Sequence, residues 1–233
     1  MSHHKAIVRS IIEDGFCRGD LTVADRHCAP TFHNRVSVLA PPRGPEGLRL
    51  HIIDARAGFP DLRLEILTML EQDDVVFTTW RTRGTHDGPF MGAEPTGAVQ
   101  SILLMGFWRF EGDELVEWYG NYDSATMLSQ LGLLDPSRVA PDARNLGRGL
   151  SPLTIEPGLT VREGDQVASR WTISGTHAGP FLGCEATGRP LRFTASGLGT
   201  IRDGELVDRT EIVDLVTALH QIGALEAPAH PPH

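Results

Sequence analysis

Apolar positions along this chain first follow a helical period and then a strand period. Ile7 and Ile11 lie four apart, as do Ile12 and Phe16, which predicts a helix over 4–18. Gly19-Asp20 stops it, and Thr22 can cap a short helix through Cys28. Gly44-Pro45 opens a third helix with the apolar stripe Leu48, Ile52 and Ala55, which Gly58-Phe59-Pro60 ends. The period then becomes two. Residues 62–71 alternate, and 74–84 are rich in β-branched and aromatic types. Residues 98–110 and 114–123 give two more strands, joined by the tight turn Glu111-Gly112-Asp113. The glycines and prolines of 84–97 suit a long hairpin connection, and Ser124 can cap a last helix through Gln130, which Gly132 ends. These elements make three helices, a four-stranded antiparallel sheet and a terminal helix.

The strand pattern then returns. Residues 80–97 read WRTRGTHDGPFMGAEPTG and residues 171–188 read WTISGTHAGPFLGCEATG, with 11 of 18 positions identical. His86 and His177 are 91 apart (177 − 86), and the same offset carries Asp123 onto Asp214. A shared register over this length marks a duplicated sheet-building unit. The copies are unequal, because residues 1–58 are expected to have no counterpart before the second. The division expected is a complete domain over 1–134, a linker over 135–152, a partial repeat over 153–225 and a disordered tail over 226–233.

Composition narrows the partners. The formal charge of −9 disfavours nucleic acid and anionic membrane surfaces. No apolar run reaches a membrane span, and the N-terminus lacks the form of a signal peptide. The cysteines Cys17, Cys28 and Cys184 form no metal or disulfide spacing, so a reducing cytoplasm is expected. Phosphate loops and dinucleotide fingerprints are missing from the sequence, and the expectation is an absence of cofactor and metal.

The runs FHNR (32–35), PEGLR (45–49), FPDLRLEI (59–66), DDVVFTTWRTRGTHDGPFMGAEPTG (73–97), WRFEGDELVEWYGNYD (108–123) and LSQLG (128–132) together resemble the SnoaL-like polyketide cyclases, or ester cyclases, of the nuclear transport factor 2-like superfamily. The resemblance covers 1–134 in order, and the second unit matches only in its sheet half. It implies an α+β cone: a curved antiparallel sheet around a deep pocket, with covering helices, followed here by a partial repeat. It also implies pairing through sheet faces, either between two molecules or within this chain as a pseudo-dimer. The activity implied is cofactor-independent cyclisation or isomerisation of a hydrophobic, polyketide-like secondary metabolite by aldol-type acid–base chemistry, as in antibiotic biosynthesis. A hydrolase, a hydroxylase and a non-catalytic small-molecule binding protein are the alternatives.

Asp123 matches the family's catalytic aspartate, six residues after Glu117. Alternation puts Leu115, Glu117, Tyr119, Asn121 and Asp123 on one strand face, which suggests a polar cavity wall. The catalytic candidates are therefore Asp123 and His33. The substrate-binding candidates are Glu117, Tyr119, Asn121, Trp80 and Trp108. Each has a plainer role as well. Asp123 can simply cap the final helix, Glu117 can pair with Arg109, and the tryptophans can be core. His86 recurs as His177 in a unit without a full pocket, which suits a residue that holds the hairpin. Many relatives carry a histidine directly after the glutamate, but Trp118 stands there in this chain.

Overall fold

The computed structural model describes residues 1–36, 41–140 and 144–225, so the expected disordered tail at 226–233 lies outside the described residues. Helix α1 (His3–Ser10) runs straight into a π-helical stretch, Ile11–Cys17, and α2 (Thr22–His27) follows. The chain then forms β1 (Cys28–Val36), α3 (Pro45–Gly58), β2 (Arg63–Gln72), β3 (Val75–Thr85), β4 (Val99–Glu111), β5 (Glu114–Tyr122) and α4 (Ser124–Gln130). These strands form a sheet of order β1-β5-β4-β3-β2.

The fifth strand corrects the expected four. Cys28–Val36 pairs in parallel with β5, from Cys28 opposite Leu115 to Val36 opposite Gly120. A parallel partner some 80 residues downstream leaves no hairpin signal in the sequence. Pro30 is tolerated because β1 is an edge strand.

A short 3₁₀ turn (Pro136–Val139) and the one-turn α5 (Leu146–Gly149) lead into β6 (Thr154–Glu163), β7 (Gln166–Thr176), β8 (Pro190–Arg202), β9 (Glu205–Val213) and α6 (Leu215–Ile222). The second sheet has the order β6-β7-β8-β9. The expected featureless linker therefore contains structure, and part of that structure belongs to the repeat. Gly149 stands 91 residues after Gly58, and the two carbonyls do the same work. The Gly58 oxygen accepts from the Asp87 and Gly88 amides at 3.2 Å, and the Gly149 oxygen accepts from Ala178 at 2.9 Å and Gly179 at 3.3 Å. A Cβ at Gly58 would collide with Phe90, and one at Gly149 with Phe181. The end of α3 is thus retained in the second unit even though the rest of the helix is gone.

The duplicated histidines hold these hairpins. In His86 the Nδ1 accepts from the Thr96 amide at 3.3 Å, and in His177 it accepts from the Thr187 amide at 3.3 Å. Each Nδ1 also meets the hydroxyl of the same threonine. Both rings are fully buried, and that burial lowers both pKa values.

The two sheets pack face to face. Leu70, Val75, Phe77, Met105 and Phe107 of the first meet Val161, Ala168 and Ile212 of the second in one buried cluster. Burying side chains of this size contributes about 1.5–3 kcal/mol each. Within the interface Asn121, which is 1% exposed, donates to Thr194 Oγ1 at 2.8 Å and accepts from Ser196 Oγ at 2.5 Å. The Arg170 guanidinium lies 4.9 Å from the centre of the Tyr119 ring. At the N-terminus Lys5 bonds both carboxylate oxygens of Glu163, at 3.0 and 2.7 Å.

Helix α4 belongs to both units. Met127 and Leu131 enter the first core, while Ala125 and Leu128 enter the second. No helix among the described residues is long and apolar enough to cross a membrane.

Asn121→Ala leaves the buried Ser196 and half-buried Thr194 hydroxyls without their partner. The expected outcome is a loss of about 1–3 kcal/mol in chemical denaturation, with both units unfolding less cooperatively.

Candidate active site

The first sheet and its helices enclose a cavity of about 570 Å³. This volume falls within the usual span for small-molecule sites. Strand alternation decides what faces it. On β5 Trp118 and Tyr122 line it, and on β1 the buried Phe32, Asn34 and Val36 lie on the same inner side of the sheet, in the core beside it. Trp108 and Trp118 stack at 4.4 Å with 7° between their planes, and His51 lies on the far side of Trp118 at 5.0 Å and 18°. Three of the lining residues therefore form one continuous face-to-face stack, with Trp118 in the middle. Trp80 also lines it, and the hydroxyl of Thr78 holds the Trp108 indole N–H at 2.8 Å.

One polar chain enters this apolar space. The Asn34 side-chain oxygen accepts from the Val36 amide at 3.3 Å, and its nitrogen donates to the Gly47 carbonyl at 3.5 Å. Those contacts orient the amide, so its nitrogen also donates to His51 Nδ1 at 2.9 Å. His51 must then carry its proton on Nε2, which sits 3.1 Å from the Tyr122 hydroxyl. With Tyr122 Oη accepting from His51, its own proton is free to point into the cavity. Burial pushes the His51 pKa down to about 3 and the Tyr122 pKa well up. The histidine is neutral, and the tyrosine is a protonated donor.

Asp54 lies three residues beyond His51 on α3, hence on the same helix face, and it also lines the cavity. Thr82 and Gln100 bond each other on the wall at 2.7 Å.

The predicted site residues divide between two faces of the sheet. Trp80 and Trp108 line the cavity. His33, Glu117, Tyr119 and Asn121 do not; they lie on the opposite face, toward the second unit. His33 sits in register with Glu117, one residue out of phase with the inward Asn34. Its pKa is lowered by burial and by Arg35 and Arg43. Glu117 is clamped between Arg109 Nε at 2.8 Å and Arg35 Nε at 2.9 Å. Burial alone would raise its pKa, but the two guanidiniums hold it below the ordinary value. Tyr119 lies between Arg35 and Arg170. Leu115 leaves the expected set because the pairing slips between Arg109 and Phe110, which returns Leu115 to the inner core. The polar face that suggested a cavity wall is the seam between the units.

Asp123 is the N-cap of α4, accepting from the Thr126 amide at 3.3 Å. Asp214 caps α6 in the same way, accepting from Thr217 at 3.1 Å. Among the described residues, the cavity lining includes Tyr122 and Ser124 but not the residue between them.

His51, Asn34, Tyr122 and Asp54 were not singled out from the sequence. One signal pointed to them. His51 interrupts the apolar stripe of Leu48, Ile52 and Ala55, where a histidine must be buried and bonded. The second unit has no equivalent site. Ninety-one positions on from Thr82, Gln100, Tyr122 and Ser124 stand Ile173, Leu191, Val213 and Leu215, all aliphatic. Among the described residues no three His, Cys, Asp or Glu are grouped to hold a metal ion.

A family model for SnoaL-like polyketide cyclases matches residues 6–131 and again 136–222. The chain belongs to the SnoaL-like polyketide cyclase family. Among solved structures, AclR from Streptomyces galilaeus, described provisionally as a hydroxylase, is 27% identical with a TM-score of 0.51, over 58% of this chain and 99% of its own. IdmH from Streptomyces antibioticus, described provisionally as a polyketide cyclase, is 27% identical with a TM-score of 0.50, over 56% of this chain and 99% of its own. TsrD from Streptomyces laurentii shares the fold at 21% identity and a TM-score of 0.53, over 57% of this chain and 96% of its own. No curated protein matches the sequence. The SnoaL-like fold is thus present here as one unit of the relatives' size with a second, partial unit added.

Asn caps a helix as well as Asp does. Asp123→Asn is therefore expected to leave the melting temperature unchanged, whereas Asp123→Ala costs about 1 kcal/mol.

His51 gives a second test. Its folded pKa of about 3 lies below its ordinary 6.5, so between these values the unfolded chain binds more protons. Stability contributed by the neutral ring is complete above pH 6.5 and is lost on acidification toward 3. The slope from this residue reaches about 1.4 kcal/mol per pH unit. Denaturation midpoints measured across this range should fall in that direction, and less steeply in His51→Gln.

Proposed function

We propose that the first unit is a cyclase or isomerase for a hydrophobic, polyketide-like metabolite, with acid–base chemistry carried by Tyr122 and Asp54. The observation behind this reading is the chain Asn34–His51–Tyr122, which ends in a hydroxyl inside a mostly apolar cavity. Buried polar groups of this kind orient ligands and support chemistry because water does not compete with them.

In this reading a planar substrate packs against the edges of the Trp108, Trp118 and His51 stack and against Trp80. The Tyr122 hydroxyl donates to a substrate carbonyl oxygen. The Asp54 carboxylate takes the proton from the adjacent carbon, and the electron pair of that C–H bond becomes the enolate. As charge grows on the carbonyl oxygen, Tyr122 gives its proton increasing share, and His51 Nε2–H stabilises the phenolic oxygen. The enolate carbon then attacks a second carbonyl of the same molecule, and Asp54 returns its proton to the new alkoxide. Atoms and protons balance without an added reactant.

Asp123 has a supporting part, since it fixes the start of α4 and with it Ser124 and Met127 on the cavity wall. The likeness to IdmH, whose description is of a polyketide cyclase, supports the same class.

A ligand-holding protein without chemistry is the second reading. The apolar character of most of the wall and the engagement of Asp123 as a cap favour it.

The test is turnover of a polyketide-like substrate by Tyr122→Phe, Asp54→Asn and Asp123→Asn. General acid–base groups contribute about 10²–10⁴-fold. Asp54→Asn should lose at least about 10²-fold in kcat at an unchanged melting temperature, Tyr122→Phe should lose as much in kcat with a stability loss of about 1–3 kcal/mol from the unpaired His51 Nε2–H, and Asp123→Asn should stay near wild type. If only Asp123→Asn loses activity, this assignment is wrong. Full ligand binding with no turnover by any form would support the holding reading.

A further inference from the structure

The main cavity shares a wall with a second hollow. Met91, Gly92 and Ala93, at the tip of the β3–β4 connection, line the cavity on one side. On the other side they line a hollow of about 140 Å³ whose back is formed by Leu128, Leu133, His220 and Leu225. Met91 packs against the hydrophobic clusters of both units. The tip therefore stands between the substrate space and the second unit.

The repeat supplies an internal comparison. Phe90 and Ala93 close the tip by two backbone bonds of 3.1 and 2.9 Å, and Phe181 and Cys184 close its copy by two of 3.0 Å. Met91 and its counterpart Leu182 share a φ of 51°. The backbones match, but their support does not. Leu182 is fully buried. Arg138 donates to the Leu182 carbonyl at 3.4 Å and to Cys184 Sγ at 3.2 Å. Met91 is only half-buried. Among the described residues no side chain hydrogen-bonds to 91–94. A wall with a hollow behind part of it has fewer dispersion contacts on that side, so displacing it outward costs less than at the fully packed copy.

We propose that Met91 determines which ligands the cavity accepts: the tip at 90–93 yields into the hollow beneath α6 to admit ligands longer than the resting cavity. The second unit, by forming part of the back of that hollow, sets how far the tip yields. This gives the partial repeat a role at a site to which it contributes no chemical group. The ligands it governs are planar polycyclic ketones or quinones, which suit a wall of Trp80, Trp108, Trp118 and Phe90 with the Tyr122 hydroxyl to meet a carbonyl. The proposal rests on the cavity being a ligand site, as the preceding reading holds, but not on the chemistry assigned to Tyr122.

Two measurements test it. Binding of naphthoquinone and of the larger, four-ring naphthacenequinone can be followed by equilibrium dialysis. Leu133 is partly exposed at the hollow, so Leu133→Trp fills the space without disturbing either core. It should weaken the four-ring quinone at least about fivefold and leave naphthoquinone within about twofold. Met91→Ala should strengthen the larger quinone selectively. Equal effects on both quinones, no effect on either, or no binding of either to the wild type would overturn the proposal. Hydrogen exchange gives a readout without ligand. The amides of Gly92 and Ala93 should exchange at least about tenfold faster than those of Gly183 and Cys184, and equal protection would overturn it too. A fully active Tyr122→Phe would sink the proposed chemistry while leaving this size dependence in place, so the two readings fail separately.

Discussion

The outer face of the first sheet must be kept from water, and the other features of the molecule follow from how that is done. Leu70, Val75, Phe77, Met105 and Phe107 present a large apolar surface on the side away from the helices. Left exposed, a patch of that size would drive association. Here the second sheet of the same chain covers it. Apolar burial supplies most of the adhesion, at about 1.5–3 kcal/mol per large side chain. The polar contacts of Asn121 with Thr194 and Ser196 contribute less, but they fix the register, because a slipped interface would strand buried hydroxyls.

With one face committed to the seam, the only face left for a pocket is the one that α1, its π-helical continuation and α3 cover. That explains the distribution of chemistry on β5. Glu117, Tyr119 and Asn121 serve the seam, and Trp118 and Tyr122, one residue out of phase, serve the cavity. It also explains why the second unit carries aliphatic residues at four positions where the first has polar ones. A sheet without covering helices has no enclosed space in which a hydroxyl or amide could meet a ligand. α4 joins the two halves by dividing its own surface between their cores, so the wall of the first unit's cavity is continuous with the core of the second.

The capping aspartates show how a single position can mislead. Asp123 and Asp214 accept the same helix-terminal amide with nearly equal geometry, and one of the two has no polar pocket nearby. A group retained in both copies is explained by what both copies share, which is a helix to begin. The same argument assigns His86 and His177 to the hairpins they brace. By contrast the chain of Asn34, His51 and Tyr122 occurs once, in the unit that encloses a cavity.

The sequence by itself determined the repeat, its 91-residue offset, the helices other than the short turns of 136–149, eight of the nine strands among the described residues and the family, because these depend on local periodicity, turn residues and motif spacing. It also held the histidine on the buried stripe of α3. It did not contain β1, whose partner strand lies far along the chain, nor the slip at Phe110 that moves Leu115 to the other face. Above all it could not say which face of β5 looks into the cavity. Alternation sorts residues into two sets but gives neither set a direction. That direction was decided only when the second sheet packed against one face and the helices closed over the other.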